Sequence, residues 1–243
     1  MDKTQLLEKT TSVLMGTHEF QDLARKSVDL IVQGMKSKGV SAAAVFRINQ
    51  QSQTLYAYAY SAKRRTLIDA LLPAKFSQLN LPLTSADNLI VKAAATGQKQ
   101  QGTDMYAFTR GVLSELAAVS LKKILGANLL ISLPVHSKSG KVAGALFLVL
   151  KKSVLEADEL ELFETYAQQL GLAFSNVFAF ERLMGAYKKK MQSEEASADE
   201  EDIPSIKFTL RLSPRQYKKL NTLVAKSKKT RAEVIREVID KAE

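Results

Sequence analysis

Cysteine and tryptophan are absent from the chain. Without cysteine, disulfides, thiolate zinc sites and a thiol nucleophile are excluded, and so is thioether attachment of a haem or bilin. Long apolar runs are also lacking, because the longest, near 142–150, falls far short of the roughly 20 residues that a membrane-spanning helix needs. No basic-then-apolar leader opens the sequence. We therefore expect a cytoplasmic protein that makes no membrane contact.

Histidine is scarce, which limits the metal and acid–base chemistry that the chain can support. His18 and His136 lie far apart, and neither has a second histidine or a cysteine nearby to complete a metal site. We expect His136 to be solvated in a turn. The carboxylates of 156–161 begin a helix, where they complement the helix dipole without any catalytic role. The sequence contains no glycine-rich phosphate loop and no Ser/His/Asp order, so we predict no enzyme, no metal and no cofactor.

Positive charge is abundant and is divided into two blocks. The 243 residues carry a formal net charge of +10, with 24 cations and 15 anions in residues 1–191 and eleven cations and four anions in residues 203–243. Residues 192–202 contain six anions and no cation. Two basic blocks around an acidic spacer favour a polyanionic partner. The length suits one large or two ordinary domains.

The first 190 residues show the hydrophobic patterns of a mixed helix and sheet domain. A helical stripe begins at Phe20 and stops near Gly39, and a long helix is predicted from about Glu156 to Lys190. Further predicted elements, in chain order, are strands Val40–Ile48 and Thr54–Tyr60, helices Ser85–Thr96 and Leu113–Ile124, and strands Asn128–Val135 and Lys141–Leu150. The last two strands form a hairpin across 136–140.

This order of elements resembles a GAF domain. The stretches that carry the resemblance are Leu125–Val135, Gly140–Leu146 and Ala94–Gln98, followed by the acidic helix start. The resemblance implies a sensory module that binds a small ligand or dimerises. It leaves the ligand pocket and the effector unassigned, since a fold alone cannot supply them.

The long helix is apolar on more than one side. Residues that share a heptad-like seam are Leu160, Phe163, Ala167, Leu170, Phe174, Val177 and Met184. Phe178, Phe180 and Leu183 add apolar surface beyond that seam. We expect the helix to be buried against its own sheet and against a partner subunit, although one wide face over the sheet is the alternative.

Composition predicts the remaining boundaries. We expect a helical extension at 1–19, the GAF-like domain at 20–187, an acidic flexible linker at 188–204 and a small domain at 205–243. One basic cluster, Lys63-Arg64-Arg65, follows a strand. We interpret it as a solvated loop; binding of an anionic ligand or of the DNA backbone is the alternative.

The last forty residues predict one strand and two short helices. In Ile206–Leu212 apolar residues alternate with Lys207, Thr209 and Arg211, as in a half-buried strand. A lone strand leaves its backbone groups unpaired, and the same strand of a second chain would satisfy them. Capping boxes at 213–216 and 230–233 open the two helices.

This segment resembles the ribbon-helix-helix family of prokaryotic DNA-binding proteins, of the Arc/MetJ/CopG type. By that resemblance Lys207, Thr209 and Arg211 would read base edges in the major groove, and Lys229, Thr230 and Arg231 would bind phosphate. The turn between the helices has no glycine, where family members often have one.

The sequence as a whole predicts an α+β protein, with a GAF-like antiparallel sheet flanked by helices and a small β-α-α ribbon-helix-helix domain. We expect a homodimeric regulator that binds double-stranded DNA, paired through the ribbon strand and the long helix and modulated by a small-molecule effector. Two alternatives stay open. One is an adaptor whose tail only dimerises, and the other is a small-ligand sensor that does not bind DNA.

Overall fold

The computed structural model describes residues 17, 19–195, 218, 220–224, 230 and 234, with side chains up to residue 187 in the long stretch. The chain divides into two compact units, Met1–Met191 and Gln192–Glu243. The predicted extension at 1–19 and most of the C-terminal forty residues lie outside the described part. No helix within the described part is both long and apolar enough to span a lipid bilayer.

The first unit is built on one six-stranded antiparallel sheet. The strands are β1 (Val40–Asn49), β2 (Thr54–Ala62), β3 (Asn80–Pro82), β4 (Gln100–Gly102), β5 (Leu129–His136) and β6 (Val142–Leu150). Their spatial order is β3-β2-β1-β6-β5-β4. The four long strands and both hairpins confirm the sequence prediction to within two residues at each end. The short edge strands β3 and β4 were not predicted.

Helices cover both faces of the sheet. They are α1 (Phe20–Gly34), α2 (Arg65–Asp69), α3 (Leu89–Thr96), α4 (Met105–Thr109), α5 (Glu115–Leu125) and α6 (Ala157–Glu195), with 3₁₀ turns at Lys36–Lys38 and Phe76–Gln78. Successive residues of β1 point to opposite faces, so Val45 packs under α1 and α6 while Phe46 belongs to the second core under the shorter helices.

Helix α3 begins four residues later than the sequence pattern predicted. Asn88 is its N-cap, because the Asn88 side chain accepts hydrogen bonds from the backbone N–H of Ile90 (2.9 Å) and Val91 (3.1 Å). The backbone of Asn88 is extended, as is usual for an N-cap residue, so the helix begins only after it. The predicted start at Ser85 is therefore wrong.

Helix α6 packs closely on the sheet over its first half. Gly171 lies against the end of β5, where a Cβ atom would stand 1.9 Å from the His136 carbonyl oxygen. The fully buried Tyr166 donates a hydrogen bond to the Ser27 carbonyl of α1 at 2.6 Å, and burial raises the pKa of Tyr166, which keeps the donor protonated. These contacts fix α6 against both α1 and β5.

A buried carboxylate holds the start of α6. Glu159 pairs with Lys152, lies 3.6 Å from the Lys38 ammonium and accepts the Glu156 backbone N–H at 3.2 Å. Burial alone would raise the pKa of Glu159, but the hydrogen bonds from Lys152 and Glu156 outweigh it and hold that pKa below its usual value. The acidic helix start thus has a structural role that agrees with the sequence interpretation.

The predicted heptad seam of α6 faces the protein's own sheet rather than a partner. Phe163, Ala167, Leu170, Phe174 and Val177 are all buried in the core beneath α1 and the sheet. Apart from Leu172, the exposed large apolar residues of the helix lie further along, at Phe180, Leu183, Met184 and Tyr187. The helix also continues to Glu195, five residues beyond the predicted end and into the predicted linker.

Candidate ligand site

The predicted DNA-contacting residues lie almost entirely outside the described residues. Lys207, Thr209, Arg211, Lys229 and Arg231 are among those not described. Thr230 alone is described, and it is exposed.

Three details of the C-terminal unit bear on the predicted helices. Residues 220–224 are helical. The Val234 backbone N–H donates to the Thr230 carbonyl at 3.1 Å, an i to i+4 bond that starts at the predicted cap, and Val234 is buried. The Thr222 hydroxyl donates to the Lys218 carbonyl at 3.0 Å, which has the same helical spacing.

An apolar cavity of about 100 Å³ lies in the first unit, between the sheet and the helices α2, α4 and α5. The floor is made of small residues of β1 and β2, among them Ala42, Ala44 and Ala57. Large side chains, including those of Phe108 and Phe147, close it from the helices and from β6. Small residues opposite large ones leave space that the covering helices do not fill.

The chemistry of this cavity favours an apolar occupant. Among its lining residues only Tyr60, Asn80 and Thr109 have a polar side chain. A cavity of ~150 Å³ lined by Leu, Ile and Phe stays dry and binds benzene in another protein. The present cavity is smaller, at about 100 Å³, so a small ring or a branched alkyl chain would enter it only if part of its lining moves.

The cover of the cavity is held by a buried amide. Asn88, 1% exposed, caps α3 through its oxygen and donates through Nδ2 to the Arg110 carbonyl at 2.8 Å. A buried amide that satisfies both its donor and its acceptor gives the loop after α4 a fixed position. Gly111 follows at φ +84°, a conformation that glycine adopts without strain.

A polar groove of about 670 Å³ lies beside the cavity, along the side of β2 towards α1. Its charged lining residues are Glu19, Asp22, Arg25, Arg65, Asp69 and Lys75. Tyr60 and Phe76 line both the groove and the cavity. Their rings are 4.9 Å apart, and Phe76 also packs on Phe46 at 5.8 Å. The aromatic pair is thus the wall between the two spaces.

Tyr60 is fixed by its hydroxyl. It donates to the Asp69 carboxylate at 2.5 Å, and the Arg65 guanidinium lies 5.1 Å from the centre of its ring. Burial, with the Asp69 hydrogen bond and charge, raises the pKa of Tyr60, so the phenol stays protonated as a donor. The structure therefore places Arg65 of the basic cluster in the groove, whereas Lys63 and Arg64 are exposed outside it.

His136 does not belong to this site. It ends β5 and is half buried, close to Gly97, rather than solvated in the turn. His18 lies outside the described residues. Within the described part of the chain, no cluster of three or more histidines, cysteines or carboxylates could hold a metal ion.

On the other face of the sheet, Arg47 joins β1 to α6. Its guanidinium lies 4.1 Å from the centre of the Phe178 ring and 4.7 Å from that of Phe20, and 3.6 Å from the Glu181 carboxylate. Arg47 follows Phe46, which lines the cavity, and β1 has an irregularity in its pairing with β2 between Val45 and Phe46. One strand therefore contacts both the cavity and the long helix.

No protein-family model and no curated protein sequence matches the chain. Among solved structures, it is similar to the GAF domain of a phosphoenolpyruvate-protein phosphotransferase from Coxiella burnetii, with 15% identity, a TM-score of 0.54 and coverage of 76% of this chain and 98% of that one. The corresponding Acinetobacter domain is 15% identical, with a TM-score of 0.53 and coverage of 76% of this chain and 99% of that one. A free methionine-R-sulfoxide reductase from Neisseria meningitidis, solved with its substrate, is 13% identical. Its TM-score is 0.52, and the match covers 73% of this chain and 90% of that one.

These likenesses show that most of the chain, about residues 17–187, has the GAF fold. The predicted α+β class and the antiparallel sheet flanked by helices are confirmed. The ribbon-helix-helix domain stays a prediction, and so does the expectation that the protein is not an enzyme, since one similar structure is a reductase.

Proposed function

We propose that the first unit is a sensory domain that binds a small, largely apolar ligand in the cavity between the sheet and α2, α4 and α5. The observation that carries this proposal is the cavity itself, an apolar space of about 100 Å³ in a unit with the GAF fold. A void of this kind costs packing energy, and a ligand of matching shape recovers it. The sensor alternative from the sequence thus becomes the principal hypothesis.

Transmission of binding would use β1. A ligand that displaces Phe46 acts on the strand whose next residue, Arg47, contacts Phe178 and Glu181 of α6. A shift of β1 would then change how α6 leaves the sheet. This route requires two arrangements of α6 with different ligand affinity, because a ligand shifts an equilibrium only by its differential binding.

Benzene tests the cavity directly. We expect benzene at ten times its dissociation constant to raise the melting temperature of the full chain by roughly 3–6 °C, because at that excess it adds about 1.4 kcal/mol to the free energy of unfolding. Ala44→Leu should abolish the shift, because the added side chain occupies the floor of the cavity. Differential scanning fluorimetry measures both.

Ala86→Leu is the matched control, since Ala86 is exposed outside the cavity lining and the substitution adds the same atoms. It should keep the full benzene shift. An equal shift in Ala44→Leu, or none in the wild type, would contradict the proposal.

A second proposed function concerns the C-terminal segment, which we infer to be the DNA-binding output of a dimer. The bond from Val234 to the Thr230 carbonyl supports it, because a helix beginning at Thr230 is what the second capping box predicts. The local excess of eleven cations over four anions gives the attraction to phosphate. An adaptor that only dimerises would show the same helices without DNA affinity.

Replacing the three residues Lys207, Thr209 and Arg211 with alanine separates DNA binding from pairing. We expect loss of sequence-specific binding by at least about tenfold, because each base contact contributes about 1–3 kcal/mol of discrimination, while the oligomeric state stays unchanged. Selection of duplexes from a random pool followed by mobility shift measures it. The control, Lys189→Ala with Lys190→Ala, removes the same charge outside the predicted strand and should retain base preference. Equal losses in the two variants would mean general attraction to phosphate, and no duplex binding by the wild type would favour the adaptor.

A further inference from the structure

The polar groove adjoins the apolar cavity through a wall that is one ring thick. Tyr60 and Phe76 contribute to both linings. Tyr60 is fixed by Asp69, but Phe76 is half buried on a single 3₁₀ turn, after a loop that contains Pro73. Of the two rings, Phe76 has the fewer restraints. A ligand that reaches from one space into the other would therefore pass where Phe76 lies.

The carboxylates of the groove are mostly occupied by neighbours. Asp22 accepts from Arg25 and pairs with Lys26, both at 2.8 Å, and the paired cations hold the pKa of the Asp22 carboxyl below its usual value. Asp69 accepts the Tyr60 hydroxyl and lies 3.8 Å from Arg65. Each of these two carboxylates therefore already faces a cation, whereas Glu19 has no ion pair with the described residues.

Donors, in contrast, are in excess. Arg25 and Arg65 each have five N–H donors, of which the contacts above use few, and both side chains are about two-thirds exposed. Lys75 forms no ion pair with the part of the chain that the structure describes. A groove in which free donors outnumber free acceptors favours an anion.

We propose that cavity and groove together form one site for an amphipathic anion, a molecule with an apolar ring or branched chain in the cavity and a carboxylate in the groove, bound by Lys75 and Arg65. This inference rests on the proposed sensory function and assigns its ligand class. The apolar end would supply most of the burial, and the anionic end would set orientation by contact with fixed cations. Phe76 would turn aside to let the two ends connect.

Three probes with the same ring test the assignment on the full-length protein by isothermal titration calorimetry. They are benzene, 3-phenylpropionate and 3-phenylpropylamine. We expect 3-phenylpropionate to bind roughly tenfold more tightly than benzene, a factor suited to one partly exposed charge-assisted hydrogen bond. The amine should bind no more tightly than benzene, because the groove offers it few free acceptors.

Lys75→Gln should reduce 3-phenylpropionate affinity about five- to tenfold, towards that of benzene, and leave benzene binding unchanged. Lys63→Gln is the matched control, because it removes the same charge from an exposed lysine near Arg65 that does not line the groove. It should change neither probe. Equal losses in the two variants would mean general charge attraction and would overturn the inference.

The remaining outcomes distinguish this inference from the proposed function. Equal affinity for benzene and 3-phenylpropionate, or tighter binding of the amine, would overturn the anion assignment and leave an apolar-ligand sensor in place. Binding of none of the three probes would overturn the proposed function, and this inference with it.

Discussion

Gly171→Ala is expected to destabilise the first unit by about 3 kcal/mol or more, the upper end of the usual cost of overpacking. The new Cβ atom would stand 1.9 Å from the His136 carbonyl oxygen and 2.8 Å from its carbonyl carbon. Neither is the flexible end of a side chain, so relief requires α6 to move away from β5. Chemical denaturation followed by circular dichroism measures the loss, and the melting temperature should fall by roughly 6 °C or more.

Gly185→Ala is the control on the same helix. A Cβ atom there would meet nothing within 4 Å. Alanine is favoured over glycine inside a helix by about 0.5–1 kcal/mol, so this variant should be slightly more stable than the wild type. Destabilisation of both variants by the same amount would show that glycine acts through helix flexibility and would contradict the close-packing argument.

Movement of α6 would also affect the signalling route. Gly171 lies two turns before Phe178, the residue on which the Arg47 guanidinium packs. If α6 rises from the sheet at Gly171, the distance between Arg47 and Glu181 should increase and the proposed coupling to the cavity should weaken. Ligand binding would then persist with a smaller effect on the C-terminal segment.

The sequence predicted the long elements of the fold because each repeats its period several times. Strands β1, β2, β5 and β6 and helices α1 and α6 all have enough residues for alternation or a 3.6-residue stripe to emerge. The elements over the cavity are shorter. Helices α2 and α4 have five residues each and β3 has three, so none completes two periods.

The candidate site was missed for the same reason. Its cover consists mostly of those short elements, together with the longer α5, and its floor depends on which residues two strands place on one face. A signal was nevertheless present in the run Ser41–Val45, where alanines at 42–44 supply little volume to a sheet that needs a filled core. The basic cluster gave a second signal, since Arg65 does line the groove beside the cavity.

The seam on α6 shows how one pattern can have two causes. A helix that covers a sheet and a helix that pairs with another helix both place apolar residues three and four apart. Periodicity therefore could not decide between the sheet and a partner for Phe163 to Val177. In the structure these residues are buried against the sheet. A partner subunit could therefore contact only the exposed residues of α6 beyond the sheet.

Leu183→Glu is expected to convert a dimer of the full chain into monomers. Phe180, Leu183, Met184 and Tyr187 recur at intervals of three, one and three residues, so they form one exposed apolar stripe on α6. A second copy of the same stripe would cover it, in the homodimer that the sequence predicts. In a symmetric pair the loss of buried Leu183 counts twice, about 4 kcal/mol in all, or roughly a thousandfold in the dissociation constant.

Sedimentation velocity over a concentration series measures the change, and Gly185→Glu is the control. It adds the same charge on the same helix, at a residue that is not three or four positions from any member of the stripe and where an added Cβ atom meets nothing within 4 Å. A ribbon made from two chains cannot form in a monomer, so Leu183→Glu should lose DNA affinity along with dimerisation, whereas the alanine variant at 207, 209 and 211 should lose only the former. If Leu183→Glu and Gly185→Glu sediment alike, the stripe does not pair two copies. Any remaining dimer would then have to be held by the C-terminal segment, through the pairing of its predicted strands.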